Sequence, residues 1–305
     1  ALAEHYRLQK EFLKAFEYLD ASFIDPNFDA EVKFQILITY FQLSIEDDLF
    51  FEHFYSLLNK AIISHPSHAN FYALLGDLNF QKNQSKLAFE AYAKSIKLGA
   101  TDFLIWNRQL ILGIELQEYV TVAELGIRSI ELHPSQPTLY LFTGFALSVL
   151  QNEERAIKVL NKGLNYVVNN HQLKAEFYSY LGDAYNRIKK HELSDQNYEN
   201  SLALRPENSV VLNNYSYYLS LRSKDLEKAE RLSKKCLELN PDEATYQDTY
   251  GWILFKLGRY EESEKWIHKA LQNTELVSPE IFEHYGDVLF KLNKIEQLKS
   301  FGIRQ

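Results

Sequence analysis

The chain has 305 residues and a formal net charge of −8, from 33 Lys and Arg against 41 Asp and Glu. That balance lacks the basic face of a nucleic-acid binder, and a single Cys excludes both a disulfide framework and a Cys-based metal site. Only 11 Gly and 7 Pro accompany 20 Phe, 20 Tyr and 3 Trp, so long helices around bulky side chains are expected rather than a turn-rich fold.

In chain order, the first expected element is a helix over about 11–24, within a partial unit at 1–28. The chain opens inside a helical pattern with neither an initiator nor any other Met, so upstream sequence is expected. The start, ALAEHYRLQKEF, lacks a signal-peptide layout, and no apolar run approaches the roughly 20 residues that span a bilayer. From residue 29 the sequence repeats itself. Pro66 and Pro134, Tyr72 and Tyr140, Gly76 and Gly144, and Ala88 and Ala156 each lie 68 residues apart, twice 34. A weaker copy between them carries Leu110, Val122, Trp106 and Ser129 at the corresponding places. Downstream the grammar returns as Tyr178, Gly182, Ser201 and Pro206, then Cys236, Pro241, Gly251, Ser263 and Ala270, and finally Phe282 and Gly286. The expected units are 29–68, 69–102, 103–136, 137–170, 175–208, 209–243 and 244–278, about seven across 29–278, with a truncated terminal unit or cap at 279–305.

Each unit reads as two helices. Apolar or small residues at positions 4, 7, 8 and 11 of the first helix, and 20, 24 and 27 of the second, lay one stripe along each. Gly inside a helix costs roughly 1 kcal/mol against Ala, so its recurrence at position 8 marks a site of close approach, and the small residue at position 20 is expected to face it. Pro near the end of each unit stops the second helix.

The stretches YALLGDLNF…AFEAYAKSI, YSYLGDAYNR…YENSLALRP and YGWILFKLGRYEESEKWIHKAL resemble tetratricopeptide repeats (TPR), a similarity that covers about 29–297. LNNYSYYLS followed by DTYGWILFKLGRYEE is similar to bacterial members. The resemblance implies an all-α, right-handed α-solenoid, a superhelix of helix-turn-helix units whose concave groove is lined by positions 2, 5, 9, 12 and 13 of each first helix. It implies a non-catalytic scaffold or adaptor that binds proteins or peptides without a cofactor. It also gives a slight lean to the periplasmic side of a bacterial envelope, with the cytoplasm as the alternative.

Carried onto this sequence, the groove positions of the middle units hold Leu104, Ile111, Ile114, Leu141, Phe145 and Val149. From 175 onward they hold Glu176, Asp183, Asn213, Tyr217, Asp248, Trp252, Phe255, Glu280, Glu283 and Asp287. The candidate binding residues are Leu141, Phe145, Asp183, Asn213, Tyr217, Asp248, Trp252 and Asp287. An apolar middle and an acidic, aromatic C-terminal part suit a basic or amphipathic segment, apolar anchors supplying burial and opposed charges setting register. Trp252 and Tyr217 are also placed to stack on a cation. A phase shift of one residue would instead make the apolar set core and the acids a solvated face. The basic clamp with which one subclass grips a C-terminal carboxylate is missing, because its positions hold pairs such as Ala73 and Asp77 or Asp248 and Trp252. RNA recognition predicts Lys and Arg at positions 2, 5 and 9, which the sequence does not supply.

Chemistry has no visible constellation. His65-Pro-Ser-His68 falls at a junction between units and lacks further converging ligands, and HELSD at His191 has no second His four residues on. Cys236 occupies a small packing position beside Leu237 and Leu239. No phosphate-binding or nucleophile motif occurs, and Glu283 with Asp287 lie on an open face that would not split their pKa values. Phe50, Phe51, Phe54 and Tyr55 are expected to pack the core of an atypical second helix, with Glu46-Asp47-Asp48 capping it. The alternative to a scaffold is an accessory or regulatory domain of a larger enzyme or envelope or transport assembly, whose anchor or chemistry lies upstream.

Overall fold

The computed structural model describes residues 2–273 and 278–300. Residues 274–277 of the unit expected at 244–278, and residues 301–305 of the terminal unit, lie outside the described residues. Among the described residues every regular element is an α-helix, and none is long and apolar enough to cross a membrane. The helices form two compact units divided between Asn152 and Glu153. The first holds α1 (Leu2–Leu8), α2 (Phe12–Phe23), α3 (Ala30–Glu46), α4 (Asp48–Ser64), α5 (Ala69–Gln81), α6 (Ser85–Lys97), α7 (Phe103–Glu115), α8 (Tyr119–Leu132) and α9 (Pro137–Val149). The second holds α10 (Glu153–Leu164), α11 (His171–Arg187), α12 (His191–Leu204), α13 (Ser209–Leu221), α14 (Leu226–Leu239), α15 (Ala244–Lys256), α16 (Tyr260–Gln272), α17 (Pro279–Lys291) and α18 (Ile295–Ser300).

Helix starts are chemically marked. Asp29, Asp102, Asn170 and Asn208 accept backbone N–H bonds at the starts of α3, α7, α11 and α13. In the acidic run before α4 the cap is Asp47, whose carboxylate accepts from Leu49 N at 2.8 Å and Phe50 N at 3.2 Å. Helix ends are less obvious from sequence. After α5, Asn83 takes a left-handed φ of 56°, while Asn83 N–H donates to Phe80 O and Gln84 N–H to Asn79 O. This pair of bonds satisfies carbonyls that the last helical turn leaves open. The same arrangement recurs at Gln117, Lys189, Ser223, Gly258 and Asn293, of which only Gly258 is a glycine.

The recurring Gly at position 8 has a specific neighbour. A Cβ built on Gly76 would lie 2.5 Å from the ring of Tyr92, one on Gly182 2.8 Å from Tyr198, and one on Gly251 2.4 Å from Ile267. All three neighbours sit at position 24, so the second helix presses a large side chain into the missing Cβ's place. Position 20 meets the same glycine differently: the Ser194 hydroxyl donates to Gly182 O at 2.8 Å, and that of Ser263 to Gly251 O at 2.7 Å. Further along the second helix, Ser95 donates to Ala69 O and Ser201 to Ala175 O, pinning it to the start of the first. Cys236 makes the equivalent contact with Ser209 O at 3.3 Å, and burial pushes its thiol up to about 12, so it packs rather than reacts.

The first unit's aromatic core is centred on α2 to α4. Phe54 is fully buried, and Phe50 meets Phe12 edge-on at 5.7 Å, whereas Tyr55 reaches the surface stacked on Phe51. Lys33 is fully buried and donates to Asp25 O at 2.7 Å and to the Ser64 hydroxyl at 2.8 Å, which ties the loop before α3 to the end of α4.

One buried side chain works against the fold. Gln109 on α7 is 1% exposed, and neither Nε2 nor Oε1 has a hydrogen-bond partner. The corresponding positions on α5 and α11 hold Leu75 and Leu181. Replacing an unsatisfied buried amide with an apolar group of similar size removes its desolvation cost. Gln109→Leu is therefore expected to raise the unfolding free energy by about 1–2 kcal/mol in urea titrations; an unchanged or lower midpoint would show that the amide is satisfied in solution.

Candidate interaction surface

In the first unit, α3, α5 and α7 enclose a cleft of about 400 Å³ with apolar walls of Phe34, Ile38, Leu74, Leu104 and Ile105. Asp77 and Arg108 form an ion pair in it. Asp77 also accepts from the Tyr92 hydroxyl at 2.6 Å, so one carboxylate joins α5, α6 and α7. The cleft residue Leu104 is itself exposed; elsewhere in this unit, Leu141 is buried, Phe145 is half-buried with its ring 6.0 Å from Tyr119, and Val149 is exposed.

The second unit repeats this clasp. Asp183 accepts from the Tyr198 hydroxyl at 2.5 Å and from Asn214 Nδ2 at 3.3 Å, joining α11, α12 and α13. Burial raises the Asp183 carboxyl above its usual range against the bond from Tyr198, and burial together with Asp183 holds the Tyr198 hydroxyl well above its own. Asp183 is thus engaged internally. Glu176, about two turns earlier, accepts from Gln172 at 3.3 Å.

Beyond it, α13, α15 and α17 pack in sequence and carry equivalent residues at repeat positions 5 and 9: Asn213 and Tyr217, Asp248 and Trp252, Glu283 and Asp287. The structure brings several of these together through His284, a residue the sequence reading passes over. His284 Nδ1 lies 2.9 and 3.1 Å from the two Asp248 oxygens. Its ring stacks on Trp252 at 4.0 Å between centroids and 16° between planes, and Tyr217 lies 6.2 Å away. Asp248 and Trp252 are only 6% and 7% exposed, so they sit at the α15–α17 contact rather than on an open face. Phe255 also stacks on Trp252, and the ammonium of Lys256 lies 4.8 Å from its ring centroid. The cation over Trp252 is therefore one of this chain's own.

What remains open is acidic. Glu280, Glu283 and Asp287 are exposed and make no ion pair with any described residue. Burial, with Glu280, Asp248 and Glu283 nearby, pushes the half-buried Tyr217 phenol up to about 12. Two polar atoms in the same array are buried without a partner: Asn213 Oδ1 and Trp252 Nε1. Their parent side chains are both 7% exposed.

Among the described residues no group of three His, Cys, Asp or Glu is arranged to hold a metal ion. His65 Nε2 lies 3.0 Å from Phe28 O, and the His68 ring packs 4.4 Å from Phe71, so both serve the junction where they occur.

Paired helices stacked by period, with a large side chain of the second helix set against a Gly of the first in three of the pairs, define an all-α repeat solenoid. A tetratricopeptide-repeat family model matches residues 69–100 and 244–274. The chain thus carries tetratricopeptide repeats and is similar to bacterial multi-repeat tetratricopeptide proteins. It is 29% identical over 134 residues to a TPR repeat-containing protein of Pseudomonas aeruginosa, a match covering 44% of this chain and 22% of that protein. A tetratricopeptide repeat protein of Parabacteroides merdae superposes with a TM-score of 0.60 at 15% identity, over 84% of this chain and 99% of the other. A chain of the APC/C hetero-tetramer Cut9–Hcn1 gives a TM-score of 0.61 at 14% identity, over 92% of this chain and 52% of its own length.

Proposed function

We propose that this protein is a non-catalytic interaction scaffold whose second unit engages a basic or amphipathic segment of a protein partner on the α13–α15–α17 face. Tetratricopeptide repeats are in general protein-interaction modules, which supports the broad reading. The observation that carries the finer one is a set of exposed carboxylates on α17 that pair with no described residue, Glu280, Glu283 and Asp287, of which the first two lie beside Tyr217. Opposite charge at such a face sets partner choice and association rate, and the aromatic ring supplies burial. In the first unit, the apolar-walled cleft between α3, α5 and α7 is a separate candidate for an aliphatic anchor.

The test is fluorescence anisotropy with a labelled, amidated peptide of alternating Arg and Leu, and its Glu–Leu counterpart as control. Wild type is expected to bind the first and not the second. Glu280→Lys combined with Glu283→Lys is expected to weaken binding by about tenfold. Equal affinity of wild type and the charge-reversed variant would remove the acidic face from the function.

A further inference from the structure

We infer that His284 is a proton-operated element of the α13–α15–α17 face, and that charging it weakens the hold on a basic segment; this rests on the reading of that face given above. The inference begins from placement. His284 is 8% exposed, its Nδ1 is committed to Asp248, and its Nε2 makes no hydrogen bond with any described residue. Nδ1 bonded to a carboxylate fixes the neutral ring as the Nδ1–H tautomer, which leaves Nε2 a bare acceptor. The ring is stacked on Trp252 and neighbours Tyr217, so it lies within the array that would meet the ligand.

The charged and titratable groups around it are few. From α15 come Asp248 and Lys256, from α13 Tyr217, and from α17 itself Glu280, Glu283 and Asp287. From α16, His268 is turned to Tyr285, with its Nδ1 3.4 Å from the hydroxyl, and burial, with Glu264 nearby, raises that same phenol. Acids outnumber cations, which is what makes the face attractive to Lys or Arg. Histidine changes charge between about pH 5 and pH 8. Protonation converts Nε2 from acceptor to donor and adds a positive charge within the array, so it opposes a cationic ligand on both counts. By linkage, a bound basic segment must favour the neutral ring to the same extent.

The test measures affinity of the Arg–Leu peptide at about pH 7.5 and about pH 5.5 for wild type and His284→Gln. The Gln amide can donate to Asp248 and stays neutral; circular dichroism establishes that the variant is folded. Wild type is expected to lose about fivefold in affinity on acidification, and the variant less than twofold. Tryptophan emission gives a second readout without ligand, since an imidazolium in contact quenches an indole: acid quenching is expected in wild type and absent in the variant. If both proteins bind at pH 7.5 and lose affinity equally, the inference about His284 fails while the basic-segment reading stands. Failure of both to bind at pH 7.5 overturns that reading and the inference with it. Identical emission profiles overturn the inference irrespective of binding.

Discussion

Tyr198→Ala is expected to lower the unfolding free energy by about 4 kcal/mol, read as a shift of the urea midpoint. Three losses coincide at this position. Tyr198 is fully buried, stacks on Tyr215 at 5.2 Å, and fills the space opposite Gly182. Its removal leaves a cavity and takes from Asp183 the shorter of its two hydrogen bonds. Tyr198→Phe separates these contributions, because it keeps the ring and removes only the hydroxyl; about 1.5–2 kcal/mol is expected, typical of a hydrogen bond to a charged group.

The phenylalanine variant also carries a pH signature. Burial raises the folded Asp183 carboxyl above its unfolded value, so its ionisation opposes folding as pH rises from the unfolded value through the folded one. The Tyr198 hydroxyl offsets that opposition only while Asp183 is charged. The destabilisation by Tyr198→Phe is therefore expected to be larger at neutral pH than at a pH where Asp183 is protonated. A cost independent of pH would mean that the hydroxyl does not act through Asp183.

Gly76→Ala, in the first unit, is expected to cost about 2–3 kcal/mol, near the upper end of overpacking penalties. The added Cβ would lie 2.5 Å from two ring carbons of Tyr92. That ring cannot swing aside cheaply, since its hydroxyl is held by Asp77 and approached by Arg108. Gly99→Ala is the control: its Cβ would meet nothing within 4 Å, but φ is 99°, so only the backbone penalty of roughly 1 kcal/mol applies. Combining Gly76→Ala with Tyr92→Leu should cost less than the sum of the single changes, because the smaller side chain yields the space. Strict additivity would place the strain elsewhere.

These residues also show what the sequence could reveal. Helical stripes and the recurring glycine are local patterns, so the paired helices and a close contact at position 8 are readable. The small residue at position 20 draws attention away from the partner that fills the glycine's missing Cβ, which is the large residue at position 24; its signal is an Asp after the Gly and a Tyr 15 residues beyond that Asp, as in Asp77 with Tyr92 and Asp183 with Tyr198. Composition hides the left-handed turn residues, because Gln117, Lys189 and Ser223 give no sign of positive φ. His284 is hidden for a different reason: its partners Asp248 and Trp252 lie on the preceding first helix, and their meeting depends on how α15 and α17 pack. The same packing turns Trp252 inward, where a position-by-position reading puts it on an open wall.

The two aspartate clasps bear on how such an array comes apart. A solenoid has no single interior to lose at once, so its unfolding resembles a row of dominoes whose spacing is set by what adjacent pieces share. Asp77 and Asp183 are each shared between one helix pair and the first helix of the next, through Arg108 and Asn214. Fraying of α7 or α13 thus strips a partner from a carboxylate seated in the neighbouring pair. Local damage at these joints spreads to the adjoining helices, whereas a joint without a clasp can open alone, and hydrogen exchange should find the clasped stretches opening together.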